Sequence, residues 1–171
     1  MTPVIVVALL LLANALFVAA EFAIVAVPRT AVEHRASKGE VVSARLLALL
    51  SSPQQRDRFI ATAQLGITIA SLGLGMYGEH TLAAWFEPHL TFLGESSVIT
   101  SHAAASVLAV AALTYLHIFL GEMIPKALAL SRAEATARAV FWPMRVLLLA
   151  VYPVVVSLDG VGALLLRLVG V

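Results

Sequence analysis

Four long apolar stretches alternate with charged or polar segments along this chain. A helix needs about 20 apolar residues to cross a hydrocarbon core. Residues 3–27, 59–78 and about 101–119 meet that length and are each predicted to be a transmembrane helix. The fourth stretch, 140–169, is long enough but irregular, with Pro143, Pro153, Arg145, Asp159, Arg167, Gly160 and Gly162 inside it. Its prolines predict bends. Its basic residues favour a broken amphipathic helix on the inner membrane surface over a fourth span.

The polar segments orient the spans, because basic residues accumulate in cytoplasmic loops. Arg29, Arg35, Lys38, Arg45, Arg56 and Arg58 separate the first two spans, whereas the segment before the third carries only Glu79, Glu87 and Glu95. Lys126, Arg132, Arg138 and Arg145 follow the third. The N-terminus is therefore expected outside the plasma (inner) membrane and the C-terminus in the cytoplasm. Segment 29–58 reads as helical and amphipathic, with Leu46, Leu47, Leu49 and Leu50 on its apolar side and a break at Ser51-Ser52-Pro53. Trp85 and Phe86 are candidate interface anchors. The first run has no preceding Lys or Arg and exceeds the h-region of a signal peptide, so a retained helix is the better reading.

Composition agrees. Of 171 residues, 61% are hydrophobic and 12% charged, against about 45–50% and 25% in soluble domains. A net charge of +1 gives no reason to expect a nucleic-acid partner, and the absence of cysteine excludes disulfides and thiolate chemistry. There is no HExxH, GxSxG or P-loop pattern, so nothing supports an enzyme.

The candidate chemistry is a carboxylate at membrane depth. Gly121-Glu122-Met123-Ile124-Pro125-Lys126 closes an uncharged run, and carboxylates so placed usually face a cavity or an ion path. Pro125 lacks an N–H, which deprives the Gly121 carbonyl of its helical donor, and with Gly121 before the acid it predicts a helix break at Gly121-Glu122. A carboxylate beside a free carbonyl is an oxygen set suited to a hard cation. An ion pair with Lys126, four residues on, is the alternative role for Glu122.

In the second span Gln64, Thr68, Ser71 and Gly75 share one helical face, and Gly66 pairs with Ala70 on an adjacent one. Such residues serve close helix packing or line a hydrated path. In the first span Asn14 and Glu21 share a face, Asn14 suited to an interhelical hydrogen bond and Glu21 to a pair with Arg29 or to an ion path. Of the histidines, His34, His80, His89, His102 and His117, only His117 lies well inside a span, where it reads as a packed hydrogen-bonding residue.

Three motifs together carry a resemblance. Asn14-Ala15-Leu16-Phe17-Val18-Ala19-Ala20-Glu21-Phe22, Gln64-Leu65-Gly66-Ile67-Thr68-Ile69-Ala70-Ser71 and Gly121-Glu122-Met123-Ile124-Pro125-Lys126 resemble, in order and spacing, the helix signatures of the CorC/CNNM transmembrane domain. The resemblance implies an all-α membrane protein: a three-span domain over 1–139, a juxtamembrane belt helix over 140–171, and a homodimer in the bilayer. It implies Mg²⁺ transport, with export as the direction and Na⁺ as a candidate coupling ion. Glu122, the Gly121 carbonyl and Ser71 would then be ligands, with Asn14, Gly66 and Thr68 close by and Pro125, Lys126 and Glu21 shaping or gating the site. Family members usually continue into nucleotide-binding CBS modules; none is in this stretch, so ATP is expected to act only through domains outside it. A non-transporting membrane anchor, or a carrier of Co²⁺ or Mn²⁺, fits the same residues.

Overall fold

A computed structural model describes residues 2–86 and 98–168, and all regular structure among them is helical. Glu87, His89 and Glu95, and the last three residues of the expected belt, lie outside the described residues, as does the His102 side chain. The order is α1 (Thr2–Ala26), α2 (Arg29–Ser37), α3 (Val41–Ser51), α4 (Pro53–Gly73), a π turn (Leu74–Gly78), α5 (Glu79–Phe86), α6 (Val98–Leu116), a second π segment (His117–Met123), α7 (Ile124–Ser131) and α8 (Ala133–Leu168).

Local signals explain the boundaries. Gly39, with φ of 84°, ends α2. The Gly39 N–H donates to Ala36 O and the Glu40 N–H to Arg35 O, the paired bonds of a Schellman turn that suits a left-handed glycine. The expected amphipathic segment 29–58 is thus divided into α2 and α3, with Leu46 and Leu49 on the buried side. Its last residues belong to the next helix. Pro53 opens α4 where its missing N–H costs nothing, and the Ser52 hydroxyl accepts from the Gln55 N–H at 3.4 Å.

Four helical runs are long and apolar enough to cross a membrane: Val4–Ala26, Pro53–Phe86, Ala103–Ser131 and Ala133–Gly162. The fourth corrects one expectation. α8 is continuous through Pro143 and Pro153 instead of broken there. Each proline removes one backbone bond, a loss that membrane helices absorb by small local adjustments. Burial of Val140, Phe141, Met144 and Val155 holds α8 against its neighbours. Leu12, Met76, Val107, Val146 and Leu149 point outward from these runs, as side chains facing lipid do.

The chain divides into two compact units, each assembled from two separate stretches. The first unites Met1–Val18 with Gly66–Ala127 around a cluster of Val7, Leu74 and Leu113 packed by Leu10, Leu11 and Leu82. Close approach there depends on small residues: a side chain at Gly78 would strike Leu113 at 2.8 Å, and one at Gly66 would meet the Phe17 ring at 2.7 Å. In this unit Trp85 and Phe86 end α5 edge to face, 5.1 Å between ring centroids. The second unites Ala19–Leu65 with Leu128–Val171. In it Val32, Leu46, Phe59, Phe141 and Met144 are buried, the Arg45 guanidinium lies 4.8 Å from the Trp142 ring centre, and Arg58 reaches Asp159 at 3.3 Å and Tyr152 Oη at 3.2 Å.

Candidate cation site

In the first unit, three helical segments bring polar groups together. Asn14 on α1 is fully buried, and its Nδ2 donates to the Gly121 carbonyl at 3.1 Å. This is the carbonyl that Pro125 cannot serve from four residues on, so the side-chain amide of another helix supplies the missing donor. Ser71, on α4, donates from Oγ to Asn14 Oδ1 at 3.4 Å and lies 3.2 Å from His117 Nε2. A serine hydroxyl has one proton. With that proton given to Asn14, His117 must present Nε2–H to Ser71, so the bonds run in one direction from His117 through Ser71 and Asn14 to Gly121.

The second π segment aligns His117 with Glu122. A π turn closes on the fifth residue instead of the fourth, and these two residues are five apart. Glu122 Oε1 lies 3.8 Å from His117 Nε2, beyond hydrogen-bond reach, and its side chain is 48% exposed. This corrects the expected helix break at Gly121-Glu122: helical structure continues, widened by one residue per turn. Such π insertions recur at functional sites. A second one follows Ser71, over Leu74–Gly78.

Of the residues singled out in the sequence, Asn14, Ser71 and Gly121 meet directly, and Glu122 stands beside them through His117. Gly66 lies buried under Phe17, one turn before Ser71, and serves close packing. Thr68 is exposed on α4, and Lys126 is exposed on α7 next to the buried Pro125. Glu21 belongs to the second unit, where its Oε1 accepts from Gln64 Nε2 at 3.1 Å. Arg29, the partner in one of the two roles open to Glu21, bonds Glu33 at 2.8 Å and Ser51 at 3.2 Å. His117, expected as a packed hydrogen-bonding residue, bonds Ser71 and so joins the cluster; its place beside Glu122 is the part that α-helical spacing does not give.

Among the described residues no group of three or more His, Cys, Asp or Glu could hold a metal ion. The cluster instead offers an amide oxygen, a hydroxyl, a main-chain carbonyl and one carboxylate, with an imidazole nitrogen alongside. Oxygen sets of this kind suit hard cations, and the single carboxylate leaves the charge of a divalent ion only half balanced.

Comparison with known proteins gives a match over residues 4–171 to the family described as the cyclin M (CNNM) transmembrane N-terminal domain. The chain is similar to YhdT of Bacillus subtilis, 32% identical over 169 residues that cover 97% of this chain and 35% of YhdT. It is also similar to YugS of the same organism, 33% identical over 92% of this chain and 36% of YugS. Rv1841c of Mycobacterium tuberculosis is 34% identical over 95% of this chain and 45% of its own length. The chain therefore spans between about a third and just under half of the length of these relatives.

Proposed function

This chain belongs to the CNNM transmembrane family, and on that premise we propose that it carries a divalent cation across the membrane, with Mg²⁺ as the cargo and export as the direction. The observation that supports this most is the convergence of Asn14, Ser71 and the Gly121 carbonyl in one unit, with the Glu122 carboxylate at its edge. Mg²⁺ binds oxygen at about 2.0–2.1 Å and sheds water reluctantly, so a site that strips it needs several fixed oxygens. One carboxylate is too little, and the cluster supplies three more oxygens.

In the observed arrangement these oxygens are engaged with one another. Loading an ion frees Asn14 Oδ1 from the Ser71 proton and turns the Ser71 lone pairs inward. The Gly121 oxygen has a second lone pair and accepts the ion while Asn14 Nδ2 holds it in place. The π segment lets Glu122 swing from the half-exposed edge toward the cluster without unwinding the helix. Access then alternates as the cluster opens and closes, and Na⁺ is the proposed coupling ion. The further reading is of three spans, with α8 as a belt along the inner surface, in a homodimer.

Transport into inverted vesicles tests the proposal. Glu122→Gln and Glu122→Ala are expected to abolish Mg²⁺ flux while leaving the unfolding midpoint close to wild type. Normal flux in a folded Glu122→Ala protein removes the assignment. Absence of any Mg²⁺-dependent stabilisation at millimolar concentration favours a non-transporting anchor, and competition with Mn²⁺ and Co²⁺ ranks the cargo.

A further inference from the structure

A cavity of about 400 Å³ opens in the second unit, lined by Arg35, Arg132, Arg138 and Glu134 with Ala26 and Leu130 beside them. We propose that it is a phosphate-binding site at the membrane surface, filled by the headgroup of an anionic lipid or by soluble phosphate.

Its position comes first. Two apolar runs end at Ala26 and Ser131 and another begins at Ala133, and all three residues line the cavity. Side chains at the ends of spans lie where hydrocarbon gives way to headgroups, and the basic flank is the side on which anionic lipids attract Lys and Arg.

The charges are incompletely paired. Arg35 forms an ion pair with Glu134, and Arg138 with Glu40. That leaves two acids for three guanidinium groups, and Arg132 has no side-chain partner among the described residues. Arg138 Nε and Glu134 Oε1 are both buried without a hydrogen-bond partner, and the cationic donor is the one that an anion can meet. A buried donor left unmet is costly, and an oxyanion oxygen satisfies it. Guanidinium forks match phosphate geometry with two parallel bonds. The first residues of α8, Ala133, Glu134 and Ala135, line the same cavity and present the positive end of a 36-residue helix.

The inference is independent of the cation proposal and has its own test. Thermal unfolding of the purified protein in neutral detergent is followed with added phosphatidylglycerol, phosphatidylcholine or inorganic phosphate. Phosphatidylglycerol is expected to raise the midpoint and phosphatidylcholine to leave it unchanged. Arg132→Gln should raise the half-saturating concentration about tenfold, the scale of one lost charge-assisted bond. Lys38→Gln, at an exposed cation outside the cavity, should match wild type. Arg132→Lys, which keeps charge but loses the fork, should fall between. Stabilisation by phosphatidylglycerol alone identifies a lipid, and stabilisation by inorganic phosphate identifies a soluble ligand of the same site. No shift with either, or equal losses in Arg132→Gln and Lys38→Gln, overturns the proposal.

Discussion

Asn14 and Gly121, 107 residues apart in sequence, are joined by a buried 3.1 Å hydrogen bond from a side-chain amide to a main-chain carbonyl. The amide takes the place of the donor that Pro125 lacks, so α1 repairs a defect in the backbone of another helix while its oxygen receives the Ser71 hydroxyl.

Asn14→Ala breaks both of these bonds at once. Interhelical hydrogen bonds in membranes average about 0.6 kcal/mol, and a buried unpaired polar group costs about 1–3 kcal/mol. The expected loss is about 1–2 kcal/mol in denaturant unfolding, together with loss of Mg²⁺ flux. A variant that unfolds and transports like wild type would show that the bond is incidental.

Gly121→Ala and Gly75→Ala should diverge. A Cβ at Gly121 would lie 2.9 Å from His117 Cδ2 and 3.0 Å from Asn14 Nδ2, whereas one at Gly75 meets nothing within 4 Å. The first change should displace the Asn14 amide and cost transport and about 1–3 kcal/mol of stability. The second should be neutral or slightly stabilising, since alanine loses less backbone entropy in a helix. Paired melting curves and flux assays check the contrast.

Gly66→Ala should destabilise by about 1–3 kcal/mol, because the new methyl group meets the face of the buried Phe17 ring. Phe17→Leu in the same protein should recover part of that loss. Additive losses in the double mutant would mean that the two positions do not share a contact.

Arg58 is the contact to probe in the second unit, since it bonds both Asp159 and Tyr152 and lies over the tyrosine ring at 5.4 Å. Asp159 is half-exposed, so the ion pair adds little by itself, and most of the expected loss of about 1 kcal/mol in Arg58→Ala comes from the guanidinium stacking on Tyr152. Arg58→Lys should recover less than half, because an ammonium does not stack in the same way. Full recovery by lysine would assign the effect to charge alone.

Some of the site was legible because its determinants are local. Asn14, Ser71, Gly121 and Glu122 stand out as polar or carbonyl-freeing positions in apolar runs, and Pro125 announces the orphaned carbonyl through its own missing N–H. The partners were not legible. Glu21 bonds Gln64 instead of Arg29, and His117 stands beside Glu122 through a π turn that α-helical spacing does not anticipate. Thr68 shares a sequence face with Ser71, yet it is exposed on α4.

The sequence alone determined that this is a helical membrane protein: apolar run length sets the spans, and Gly39, Ser52 and Pro53 set helix ends through backbone conformation and missing or added donors. Tertiary structure alone decided that α8 runs on through two prolines and that Asn14 reaches Gly121. The physical reason is range. Propensity and hydrophobicity act within a turn or two of helix, whereas a proline's lost bond or a buried amide's choice of partner depends on which helices pack against it.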